Sequence, residues 1–136
     1  MSTAVDQFRD NLKERLSFVE TRLKAAKTSV QNLRGQTEKA LREKLDEAHK
    51  KLQAQKEHMD QTRANLKALA QQKMAETKEA VAEWKAKRET RKLNDRAERA
   101  EAYAADAIDY AAATIDEAEE AIFAAMLARA EAEEAK

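Results

Sequence analysis

The two histidines, His49 and His58, are the side chains in this 136-residue sequence best suited to bind a metal or move a proton near neutral pH. A helix brings two ligands to one metal when they are three or four residues apart, and these two are nine apart. Asp46 and His49 have the acid-x-x-His spacing of the helices that hold carboxylate-bridged di-iron centres, but no second such pair completes a site. Both histidines therefore read as solvated. The acids around Asp116 lack the turn, carbonyl ligands and glycine of a Ca²⁺ loop, and read as a solvated face. There is no phosphate-binding glycine loop, no dinucleotide fingerprint, no G-x-S-x-G and no cysteine nucleophile. The expectation is a chain that is not an enzyme, with no catalytic residue, metal, cofactor or small-molecule substrate.

The stretch "WKAKRETRK" gathers Lys85, Lys87, Arg88, Arg91 and Lys92. Phosphate contacts need such residues on one exposed face. Here they spread around a helix and an acidic segment follows, so no specific nucleic-acid partner is expected; compensation of that segment is the simpler reading.

That acidic segment marks the main division of the chain. No Lys or Arg occurs between Arg99 and Arg129. Residues 1–94 hold 22 Lys and Arg against 14 Asp and Glu, and residues 95–136 hold 4 against 12, so a formal net charge of zero conceals two modules of opposite sign.

The elements that carry these charges must be helices. The chain has one Gly, no Pro, 4% aromatic and 38% charged residues, and its apolar content is dominated by Ala. That composition suits long helices meeting along a narrow seam, rather than a wide globular core. With no cysteine there is no disulfide or thiolate metal site. The N-terminal charges Asp6, Arg9 and Asp10 break up any signal-peptide core, and no apolar run is long enough for a bilayer, so a cytoplasmic location is expected.

Turned at about 100 degrees per residue, Val5, Phe8, Leu12, Leu16, Val19, Leu23, Val30, Leu33, Leu41, Leu45, Leu52, Met59, Leu66, Leu69, Val81 and Trp84 share one stripe about 120 degrees wide, with Phe18 outside it. The stripe keeps its phase across Gly35, which favours one long basic helix over residues 1–90, from position 3 to about 88. A turn at Gly35, with Thr37 capping a new helix, would instead give a three-helix bundle. A second stripe, Leu93, Ala97, Ala100, Ala104, Ile108, Ala111, Ile115, Ala118 and Ile122, lies on the opposite side of the wheel. A turn between about Arg88 and Asp95 reconciles the two, with Asn94 as C-cap and Asp95 with Glu98 as an N-cap box. Residues 91–136 then return as an acidic, Ala-rich helix.

The predicted fold is all-α, one structural domain: an elongated antiparallel helical hairpin or coiled coil of a long helix and a shorter returning one. Ile108, Ile115 and Ile122, spaced by Ala111, Ala118 and Ala125, form its close seam, with Asp106, Asp109, Asp116, Glu117 and Glu120 mainly on the far side. Trp84, Tyr103 and Tyr110 cover the turn end.

The predicted function is that of a self-associating helical scaffold or spacer, a homo-oligomer and most simply a dimer, with a further protein partner of unspecified kind. Its interaction residues are Val5, Phe8, Leu12, Leu16, Leu23, Val30, Leu33, Leu41, Leu45, Leu52, Leu66, Trp84, Ile108, Ile115 and Ile122. In residues 1–88 most Lys and Arg flank the apolar stripe while most acids sit mid-face. This layout resembles the amphipathic helices of exchangeable apolipoproteins, without their Pro-punctuated repeats; the likeness to Ala-, Lys- and Glu-rich late-embryogenesis proteins is looser. The first resemblance implies binding to a lipid surface, the alternative function.

Overall fold

The computed structural model describes residues 3–135. The all-α class is as expected. Four helices follow one another: α1 (Thr3–Gln31), α2 (Glu38–Ala75), α3 (Lys78–Ala86) and α4 (Thr90–Glu134). The long first helix is in fact three. Gly35 takes a left-handed φ of 73° and ends α1, and the Thr37 hydroxyl accepts the Ala40 amide at 3.1 Å to start α2. Phase continuity across Gly35 is overruled by what the turn brings together. Leu33 and Leu41 become buried in one cluster with Ala48, Phe123 and Leu127. Burying a leucine is worth about 1.5–3 kcal/mol, more than the single hydrogen-bonded turn given up.

A second break falls at Glu76 and Thr77, where the Thr77 hydroxyl accepts the Ala80 amide at 3.1 Å and caps α3. It re-aims the chain so that Val81 is buried against α4. The third break falls at residues 87–89, at the start of the expected window. The Glu89 amide reaches back to the Trp84 carbonyl at 2.9 Å, and the Arg88 amide to the Lys85 carbonyl at 3.2 Å. This is the paired-bond helix stop that normally ends in glycine. Arg88 occupies the glycine position with φ 56°, a conformation costing a non-glycine residue about 1 kcal/mol. Asn94 and Asp95, expected to cap, lie inside α4.

The fold is a helical bundle organised on α4. Both α1 and α2 pack along it, and among the described residues their backbones meet α4 rather than each other. Ion pairs fix the directions. Arg15 meets Asp109 and Arg22 meets Asp116, so α1 runs parallel to α4. Arg42 meets Glu131, Lys51 meets Asp116 and Glu76 meets Arg99, so α2 runs antiparallel.

Candidate interaction surface

The buried line of α4 is Ala112, Asp116, Phe123 and Leu127. It lies beside the expected seam of isoleucines, not on it. Asp116, expected on a solvated face, is only 6% exposed. It sits between the other two long helices: Arg22 of α1 lies 3.0 Å from its Oδ2, and Lys51 of α2 donates to its Oδ1 at 3.3 Å. The Arg22 contact is a charge contact lying off hydrogen-bond geometry, so Oδ2 is buried without an aligned donor. One turn-pair earlier, Arg15 donates to both oxygens of Asp109 at 2.8 Å. Glu120 faces His49 at 3.5 Å. The acids of α4 thus point toward the basic helices, the reverse of the far-side placement expected for them. A chain so poor in large apolar side chains matches its helices partly by charge, which selects partner and direction.

Around this line the other chemistry-bearing residues fall into place. His49 and His58 are both exposed. Tyr110 accepts from two nitrogens of Arg63, at 2.9 and 3.1 Å, which holds the guanidinium above its ordinary pKa. Lys73 lies over Tyr103, so both tyrosines brace α2; Trp84, half-buried under Lys92, is the aromatic near the α3–α4 turn. A cleft of about 280 Å³ where α2 ends against α4 is walled by Tyr103 and Leu69 and crossed by the Glu76–Arg99 pair. At the far end the neighbouring Glu38 carboxyl holds that of Glu134 above its ordinary range.

Of the residues expected to interact, Leu33 and Leu41 are buried, while Phe8, Leu12, Val30, Leu45, Leu52, Leu66, Trp84, Ile108 and Ile115 are half-buried. Val5, Leu16, Leu23 and Ile122 remain 66%, 53%, 50% and 37% exposed. These four share one side of the molecule. Parallel helices wind in the same sense, so a common side is reached by going forward around one and backward around the other. Forward around α1 from the line Phe8, Arg15 and Arg22 come Val5, Leu16 and Leu23. Backward around α4 from Ile108 and Ala112 come Ala111, Ala118 and Ile122. On α4, α2 lies the other way, by Tyr110 and Glu120. The outer halves of both sequence stripes therefore form a single face on the α1–α4 layer, opposite α2.

The α4 part of this face carries no charge. Ala107, Ala111, Thr114, Ile115, Ala118, Ala121, Ile122 and Ala125 succeed one another along it, all exposed or half-exposed, while Ala100 and Ala104, before them, line the cleft against α2. The hydroxyl of Thr114 is used within the helix, donating to the Ala111 carbonyl at 2.8 Å. In a chain with 38% charged residues, an accessible face spanning residues 107–125 without one is a deviation that solvent exposure does not require.

No family model matches this chain, and no match is found among the curated proteins or the solved structures. No helix among the described residues is long and apolar enough to cross a membrane.

Proposed function

We propose that this protein is a non-enzymatic helical scaffold or spacer that works by self-association, with the α1–α4 face as its contact surface. The observation that carries this reading is the exposure of Leu16, Leu23 and Ile122 on the same side of the layer as the charge-free face of α4. Apolar side chains gathered on one side mark an interaction surface more often than isolated ones do. The ion-paired inner line, by contrast, is occupied by the chain's own bases and serves to hold the helices together.

A lipid surface is the second reading, and α1 alone favours it. Val5, Leu16, Leu23 and the exposed Phe18 stand near Arg9, Lys13, Lys24 and Lys27, a composition that suits an anionic interface. The face on α4 has no base from Ala100 to Ala128 and gives a headgroup nothing to meet.

The double substitution Leu16→Asp with Ile122→Asp tests the first reading, because both side chains are already partly in water and the folded monomer can bear the change. The expected result is a helical monomer where the unsubstituted chain is a dimer. Dimer retained in the double variant would move the contact elsewhere. A monomeric native chain that gains helix on anionic vesicles would replace the scaffold with the lipid binder.

A further inference from the structure

We infer that the cleft where α2 ends against α4 is a binding site for a small aromatic acid, a single ring carrying one carboxylate. The inference goes beyond self-association, because the cleft lies on the α2 side of α4 and the contact face lies on the other.

The antiparallel register orders the cleft from an apolar end to a cationic one. Glu76 pairs with Arg99 and Lys73 lies over Tyr103, so Leu69, one turn back along α2, comes level with Ala104. Arg96 stands one turn before Arg99, past the end of α2, where the chain turns into α3. Leu69, Tyr103 and Ala104 thus wall one end, Arg96 holds the other, and Ala100 between them is exposed.

Charge gives the class of ligand. Three cations, Lys73, Arg96 and Arg99, line the cleft against one carboxylate, that of Glu76. Arg99 is used within the fold, donating through both Nε and Nη2 to one oxygen of Glu76, whose side chain is only 12% exposed. Lys73 is held with its ammonium 5.8 Å from the centroid of the Tyr103 ring. The Arg96 side chain is exposed and makes no ion pair or hydrogen bond with the described residues. The internal pair cancels, and the excess left by Lys73 and Arg96 draws an anion; the Arg96 guanidinium can take a carboxylate through two parallel hydrogen bonds.

Size and wall chemistry give the rest. A volume of about 280 Å³ falls just below the usual range of ligand pockets, which suits one ring rather than a larger molecule. An apolar body gains by leaving water against Leu69, Tyr103 and the two alanines. A bare inorganic anion would leave that wall unused, and an uncharged ring would leave Arg96 unmet.

Amide NMR of the full chain, titrated at constant ionic strength with sodium benzoate, sodium acetate and benzyl alcohol, tests the inference. Benzoate should give saturable shifts concentrated at Leu69, Ala100, Tyr103 and Ala104. Acetate lacks the ring and benzyl alcohol the charge, and each should bind at least about tenfold more weakly, the size of one hydrogen bond to a charged group. Shifts that do not saturate, that fall elsewhere, or that acetate or benzyl alcohol matches overturn the site. Two variants locate it further. Arg96→Gln should weaken benzoate about tenfold. Ala100→Leu, which fills the middle of the cleft from an exposed position with a good helix former, should abolish the shifts while helix content and melting temperature stay as they are. Native affinity in either variant overturns the inference.

Discussion

At the scale of single residues, Asp116 decides how the chain closes. It is the point where α1, α2 and α4 meet, and its two cations differ in exposure: the Arg22 side chain is 23% exposed and that of Lys51 49%. A buried ion pair is held by attraction against desolvation, and removing one partner leaves the other uncompensated. The two ends of this contact are therefore unequal. Asp116→Ala releases two cations that can turn toward water, whereas Arg22→Ala leaves a buried carboxylate whose Oδ2 has no cation and whose Oδ1 keeps only the Lys51 ammonium at 3.3 Å. Urea unfolding should show Arg22→Ala costing about 3 kcal/mol and Asp116→Ala about half of that, within the range for broken buried pairs. The opposite order would mean that Asp116 is not buried between the helices. Asp116→Leu, which replaces the charge by packing, should come closest to the native stability.

Much of this site was readable and one part was misread. Arg15 and Arg22 are seven residues apart, as are Asp109 and Asp116. Two charge pairs at one spacing are a signal for parallel helices matched by ions, but a hydrophobicity wheel assigns every acid to solvent and so places Asp116 outside. Phe123 is out of phase with the isoleucines; its phase is that of Asp116 and Leu127, the line that is buried.

At the scale of elements, helix content followed from composition, and Thr37 as a cap was legible from its type and place. The breaks were harder. Gly35 fits both a continued stripe and a turn, and only the distant partners Phe123 and Leu127 settle it. The stop after Trp84 uses Arg88 where glycine is the usual residue, so no sequence signal marks it. Thr77 carries the same capping chemistry as Thr37 and could have been read as a start. These elements are also unequal in how firmly they are held. No residue of α1 is buried, whereas α2 buries Leu41, Ala48, Met59 and Thr62. Native-state amide exchange should therefore find α1 opening at lower free energy than α2 and α4, with its protection rising with protein concentration as a second copy covers Leu16 and Leu23. Protection of α1 equal to that of α2 at high dilution would show that α1 needs no such cover.

At the scale of the whole molecule, the separation of charge along the chain becomes a separation across it. Bases of α1 and α2 turn toward the acids of α4, and what α4 turns away from them is Ala, Thr and Ile. The formal net charge of zero leaves little long-range repulsion to keep copies apart. The face on the α1–α4 layer is therefore both uncovered and approachable, and the account stands on its being covered by another copy. Sedimentation equilibrium of the unsubstituted chain, at several concentrations and moderate salt, measures this directly. The monomer mass is 15.4 kDa, and the account predicts a fit at about twice that value with dissociation on dilution. A single species at 15.4 kDa up to high concentration would contradict it.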